Sequence, residues 1–183
     1  EFAKYAIAAA NYFSGNQEKS IGLVQSLIDM YPTNPYYHEF LGEIYYFQGD
    51  YTKALKQQKT AMSILSKDSD LHLMMLGTYL LAESSNESII ESIKVLNKSL
   101  FLNKYNSYSW YLLAKAYALS DNLPLAQYAS AERYYLNGDR PLALEFAKKA
   151  IKNIDINTVE WYRTNDLIEL ILGIDEKNNK NRP

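Results

Sequence analysis

Cysteine is absent from this 183-residue sequence. That removes disulfides, thiolate nucleophiles and cysteine metal ligands together, and leaves the redox compartment open, since a chain without cysteine tolerates either. Glycine and proline number only seven and five, so breakers of helices are few. Neither sign of charge dominates: 19 Lys and Arg face 21 Asp and Glu, for a net charge of -2. No broad electropositive field follows from that balance, which argues against nucleic acid as a partner. The apolar runs fall far short of the roughly 20 residues a membrane-spanning helix needs, and no signal peptide stands at the front. The sequence opens at Glu1 without an initiator methionine, which points to an excised or processed segment. The missing targeting signal therefore says little about a parent protein. What is abundant is apolar surface, 48% of residues, and above all tyrosine, 17 residues. A chain of this length and composition can bury a real core. So many tyrosines ask for large, half-buried surfaces with polar rims.

The organisation is repetitive. Gly15-Asn16 and Gly49-Asp50 lie 34 residues apart, and Gly138-Asp139 repeats the dipeptide later. Trp110, Leu113, Ala114 and Tyr117 follow the first-helix pattern W-x2-L-G-x2-Y of the tetratricopeptide repeat, with alanine for glycine. A second copy reads Leu41, Gly42, Tyr45, then Ala54 and Ala61; a third is Ala131, Tyr134, Ala143, Ala147 and Ala150. Leu76, Gly77, Ser92, Leu96 and Ser99 form a weaker copy, with about three extra residues near Ser84 to Asn86; Ile7, Ala8, Gly15, Ser20 and Pro32 form the weakest. Small residues at these places let two helices approach closely, and the tyrosine or leucine three positions on fills the space beside them.

Period-3.6 patterning with local start signals predicts helices at 2–14, 17–30, 35–47, 51–65, 70–83, 87–102, 107–119, 123–136, 140–153 and 158–172. Asn34-Pro35 reads as a cap followed by proline at the first helical position, Asp139 with Pro141 starts another helix, and Asn157 with Glu160 resembles a capping box. No alternating pattern bounded by hairpin turns suggests a strand. The expected fold is all-α: a tetratricopeptide α-solenoid of about five helix pairs, residues 1–174, forming a superhelix with a concave side. Residues 175–183, polar and asparagine-rich, are expected to be a disordered tail.

Catalytic chemistry finds little footing. His38-Glu39 begins the metalloprotease helix motif H-E-x-x-H, but Gly42 stands where the second imidazole must be, so zinc cannot be held by this segment. His38 falls where tryptophan sits in the Trp110 copy, a packing position, and His72, one repeat on, is expected to pack likewise. No glycine-rich phosphate loop or nucleophile elbow is present. Glu39 and Glu43 are a helical i, i+4 carboxylate pair without a nucleophile or third group beside them, which reads as an acidic stripe facing solvent or a groove. Asn86-Glu87-Ser88 and Asn97-Lys98-Ser99 match the short glycosylation pattern.

Some tetratricopeptide domains grip a C-terminal carboxylate with Lys, Arg and Asn on their first helices. Those places here carry Tyr5, Ala9, Phe40 and Met75, or, one repeat shifted, Glu39, Glu43, Met75, Tyr108 and Leu112; the clamp is absent. The inner faces instead offer Tyr5, Tyr12, Tyr36, Glu39, Glu43, Tyr46, Phe47, Tyr108, Tyr111 and Lys115. These are the candidate partner-binding residues, an aromatic groove for a peptide or partner loop, set against the plainer reading that half of them serve inter-repeat packing. The expected role is a non-catalytic polypeptide-binding domain without cofactor or metal of its own.

A closer resemblance rests on particular strings. Asn34-Pro35-Tyr36-Tyr37-His38-Glu39 followed by Gly42 and Gly49, then Leu113-Ala114 through Ala131-Glu132-Arg133-Tyr134, Gly138-Asp139, Ala143 and Lys148 to Ala150, and finally Trp161, Arg163 and Asp166-Leu167, resemble the C-terminal half of the beta-barrel assembly-enhancing proteases. These are periplasmic zinc metalloproteases with an N-terminal catalytic domain and a C-terminal tetratricopeptide domain. The resemblance spans nearly all of this chain. It implies that zinc and its ligands belong to a catalytic domain upstream. It also implies a periplasmic setting, and partners among outer-membrane proteins, their assembly machinery and the protease domain of the same parent chain. The insertion near Ser84 and the high tyrosine content are features that could alter partner choice. The alternative is a free-standing tetratricopeptide scaffold or adaptor of a secretion or pilus system.

Overall fold

The computed structural model describes residues 1–180, and the side chains of residues 1–173. Among the described residues there are ten α-helices and no strand: α1 (Phe2–Phe13), α2 (Gln17–Met30), α3 (Pro35–Phe47), α4 (Tyr51–Ile64), α5 (Asp70–Glu83), α6 (Asn86–Leu102), α7 (Ser107–Leu119), α8 (Leu123–Leu136), α9 (Arg140–Ala150) and α10 (Val159–Lys180). They form two compact units, one from Glu1 to Ser85 and one from Asn86 onward.

One local device recurs at several of the reversals. Gly15, Gly49 and Gly138 each sit at φ of 84°, 81° and 83°, a region glycine enters without Cβ strain. In each turn the glycine N–H donates to the carbonyl three residues back (Tyr12, Tyr46, Tyr135), and the next residue donates to the carbonyl five back (Asn11, Tyr45, Tyr134). That next residue also heads the following helix. Asp50 and Asp139 accept from the backbone N–H of Lys53 and Leu142. The α7–α8 turn has the same pattern, Asn122 N–H donating to Tyr117 O, with Asp121 at φ 57° in the glycine's place. Elsewhere Asn34 and Asn106 cap α3 and α7.

In the first unit the core is Ala8, Val24, Leu27, Ile28, Tyr37, Phe40, Leu41 and Ile44. Burying an aliphatic side chain of this size contributes roughly 1.5–3 kcal/mol. Close approach is bought with small residues. Ser20 packs its hydroxyl onto Ala8 O at 2.8 Å. A Cβ placed on Gly42 would lie 3.3 Å from Ala54 O, so α3 and α4 run nearly backbone to backbone there. Gln58, buried on α4, donates to His72 O at 3.2 Å and ties α5 to it.

In the second unit the Ser99 and Ser109 hydroxyls meet at 3.1 Å between α6 and α7. Helix α8 then serves two neighbours. Tyr128 receives the edge of Trp110 from α7 at 5.5 Å. Ala131 joins Ala143 and Ala147 of α9 with Leu167 and Ile171 of α10 in one buried cluster. The Trp110 and Ala131 copies thus overlap on one helix.

Besides one-residue shifts at the ends of α1 and α4 and the start of α6, the boundaries of α9 and α10 differ from expectation. α9 stops at Ala150, where Asn153 and Ile154 N–H both turn back to Ala150 O. The cap of α10 is Thr158, whose Oγ1 accepts from Trp161 N–H at 3.2 Å, while Asn157 occupies φ 72° one residue earlier. α10 continues to Lys180, past the predicted end at 172. Of the expected disordered tail at 175–183, residues 181–183 lie outside the described residues.

Candidate functional site

Seven of the ten residues singled out in the sequence fall in the first unit, and they share one network. Four of them, Tyr5 from α1 and Tyr36, Glu39 and Glu43 from α3, line a cleft of about 430 Å³ that α5 closes with His72 and Tyr79. The α3 residues converge because spacings of three and four share a helix face. Tyr5 rests against Phe40 at 5.3 Å. The remaining three stand beside the cleft. Tyr12 hydrogen-bonds Glu43 through its hydroxyl and packs on Phe40 at 5.6 Å and Phe47 at 6.3 Å. Tyr46 stacks on Tyr79 at 4.9 Å between ring centroids. Tyr36 and Phe47 are each 63% exposed. The inner rings pack and the outer ones face solvent.

The electrostatics of this cleft are acidic. Burial pushes the Glu43 carboxyl above the usual carboxylate range, and the hydrogen bond from Tyr12 opposes that. The Tyr5 and Tyr79 phenols are also held up, first by burial and then by the carboxylates. Glu39 forms an ion pair with His72. Glu39 Oε1 nevertheless makes no aligned hydrogen bond, and neither do His72 Nδ1 and the Tyr79 hydroxyl, all three buried.

Sequence reasoning missed His72 and Tyr79 as members of this site. His72 was expected to pack; it lines the cleft and pairs with Glu39. His38 does behave as a packing residue, buried with Nδ1 2.7 Å from Gln57 Oε1. Among the described residues no group of three His, Cys, Asp or Glu is arranged to hold a metal.

Tyr108, Tyr111 and Lys115 belong to the second unit. Tyr108 and Tyr111 pack at 5.7 Å, and Tyr111 with Lys115 lines a hollow of about 260 Å³ that reaches Phe146. Arg133, also missed, lies 4.7 Å above the Tyr111 ring. Ala114 lines this hollow half-buried instead of sitting inside a helix crossing. A separate cleft of about 440 Å³ in this unit carries Lys104, Glu132, Arg163 and Asp166, so its charges balance internally. A larger hollow, about 700 Å³, lies at the α8–α9 turn and holds one charged residue, Arg140. Volume alone does not select a site; the first-unit cleft has the convergent polar groups.

Solved structures share this architecture. MamA crystal structures match with TM-scores of 0.67 and 0.70, at 18% and 16% identity, covering 95% and 100% of this chain and 97% and 95% of theirs. The chain has the tetratricopeptide fold. YrrB, described as a TPR protein with an unusual peptide-binding site, matches at a TM-score of 0.57 and 16% identity over 89% of this chain and 90% of that one. At these identities the likeness speaks for the fold. No protein-family model matches the chain. By sequence it is similar to the beta-barrel assembly-enhancing proteases of Escherichia coli strain K12 and Shigella flexneri, at 25% identity over 175 residues. The match takes in 96% of this chain but only 35% of the relatives' length. No helix among the described residues is long and apolar enough to cross a membrane.

Proposed function

We propose that this chain is a non-catalytic, polypeptide-binding tetratricopeptide domain, the substrate- or partner-recognition part of a larger zinc-dependent protease of the outer-membrane quality-control type. The observation that carries the binding role is the first-unit cleft. Exposed and half-buried tyrosines surround two carboxylates there, with polar groups still unpartnered. Tyrosine suits such a surface because its ring buries well while its hydroxyl accepts varied partners at low entropic cost. The relation to a protease is supported by the 25% match, which is continuous over 96% of the chain. On this reading zinc and the catalytic groups belong to another part of the parent, the setting is periplasmic, and the bound polypeptides are outer-membrane proteins or their assembly machinery. A peptide-binding relative of the same fold, YrrB, supports the general role. The second reading, a free-standing scaffold, is favoured by the MamA structures, which this chain matches over nearly their whole length.

Binding of an unfolded outer-membrane β-barrel precursor, followed by fluorescence anisotropy, tests the binding role. Tyr36→Ala should weaken it by about 1–2 kcal/mol with circular dichroism unchanged. Equal binding by parent and variant would move recognition away from the cleft.

A further inference from the structure

We propose that the first-unit cleft is a specificity pocket for an arginine side chain of the bound polypeptide. This rests on the reading of the chain as a polypeptide binder and names what one pocket of it selects. Glu39 and Glu43 stand one helical turn apart on α3 and face the same cleft. Among the described residues no lysine or arginine lines that cleft. The nearest cationic candidate is His72, and it engages Glu39 alone. Glu43 is held by the Tyr12 hydroxyl, a neutral donor. The two carboxylates therefore lack the neutralisation that Lys104 and Arg163 give Glu132 in the second unit.

An acidic pair alone would be an ordinary solvated stripe. The second observation lies beneath it. Tyr79 is fully buried, its ring stacked on Tyr46, and its hydroxyl has no hydrogen-bond partner although it lies close enough for both carboxylates to act on it. His72 Nδ1 is likewise buried and unpartnered, while Glu39 Oε1 meets only the imidazole of His72. In the neutral imidazole with Nε2–H turned to Glu39, the Nδ1 of His72 is an acceptor. Buried polar atoms are almost always paired, so two orphans in one cleft mark a missing ligand. The unmet capacity is largely that of acceptors, which calls for a ligand rich in donors.

Guanidinium fits that demand better than ammonium. It presents five N–H donors in a plane, pairs with carboxylates through a fork, and lays its face on aromatic rings. Tyr5 and Tyr36 supply such rings at the cleft wall. The second unit already shows the same chemistry within the chain, with the Arg133 guanidinium 4.7 Å over Tyr111.

The test uses the 183-residue chain and capped, amidated Gly-X-Gly peptides with X as arginine, lysine, citrulline or glutamate. Two-dimensional NMR titrations read the affinities. The arginine peptide should shift amide signals around Glu39, Glu43, His72 and Tyr79, and bind at least threefold tighter than lysine. It should also bind at least tenfold tighter than citrulline, which keeps the shape but loses the charge. Glu43→Gln should reduce arginine binding about tenfold. Tyr79→Phe, which keeps the ring and the fold, should reduce it two- to fivefold. Equal binding of arginine and citrulline, shifts confined to other surfaces, or an unaltered Glu43→Gln variant would each overturn the proposal. If the β-barrel precursor still binds and still depends on Tyr36, only the arginine assignment falls. If the precursor also fails to bind, the broader reading falls with it.

Discussion

Tyr79→Phe and Tyr128→Phe delete the same atom from two buried tyrosines and should change stability in opposite directions. Tyr79 is 0% exposed and its hydroxyl meets no hydrogen-bond partner. A buried unsatisfied polar group costs about 1–3 kcal/mol. Burial, with Glu43 and Glu39, disfavours the ionised phenol, so the group stays a neutral hydroxyl. Removing the oxygen should therefore stabilise the first unit by about 1 kcal/mol. The Tyr46 stack, at 4.9 Å, survives because phenylalanine keeps the ring. Tyr128 is equally buried, but its hydroxyl is hydrogen-bonded to the Arg163 side chain. Its loss should cost about 1–2 kcal/mol in the second unit. Urea unfolding followed by far-ultraviolet circular dichroism and amide exchange reads both units. With an m-value of about 2 kcal/mol/M, a change of 1 kcal/mol moves the midpoint by about 0.5 M. A midpoint that falls in Tyr79→Phe as it does in Tyr128→Phe would mean that the Tyr79 hydroxyl is satisfied, and the case for a vacant arginine pocket would lose its second leg.

Two further outcomes follow from the same physics. Burial holds the folded-state Glu43 carboxyl above the usual carboxylate range; its stability contribution is then full below that range and is lost as pH rises through the raised value. Glu43→Gln should accordingly flatten the fall in stability as pH rises above the usual carboxylate range, read by urea midpoints from acidic to neutral pH, and an unchanged slope would contradict the burial. In the turns, Asp121→Gly should stabilise by about 0.5–1 kcal/mol and Gly138→Ala should destabilise by about 1 kcal/mol or more; thermal unfolding checks both, and equal effects at the two positions would show that the left-handed backbone is not what those turns require.

What was legible in the sequence was what is encoded locally. Caps such as Asn34 and Asp139 act on backbone groups two or three residues away, so the starts of α3 and α9 were readable from a short window. Asn157 and Thr158 carry the same capping chemistry in adjacent positions, and only the backbone conformation of Asn157 decides for Thr158. The α3 half of the cleft was legible because Tyr36, Glu39 and Glu43 share one helix face. Its α5 half was not. His72 and Tyr79 look like core positions in a repeat pattern, and their place opposite Glu39 and Glu43 depends on Gln58 of α4 holding the His72 backbone. Ala114 shows the same limit. A shared register equates it with Gly42, yet Gly42 sits against Ala54 O whereas Ala114 borders an open hollow.

The dipeptide turns have a consequence for how the chain acquires its structure. Gly49-Asp50 ends α3 and begins α4 with hydrogen bonds that reach no more than five residues, and Gly138-Asp139 does the same for α8 and α9. Each helical hairpin can close as soon as its own residues are available, with only a short loop's entropy to overcome. Contacts dominated by near neighbours in sequence give low contact order and fast folding. During synthesis, residues 1–85 can therefore gather as one compact unit while α10 has yet to be made. The acidic cleft, built wholly from that segment, needs none of the residues that follow it.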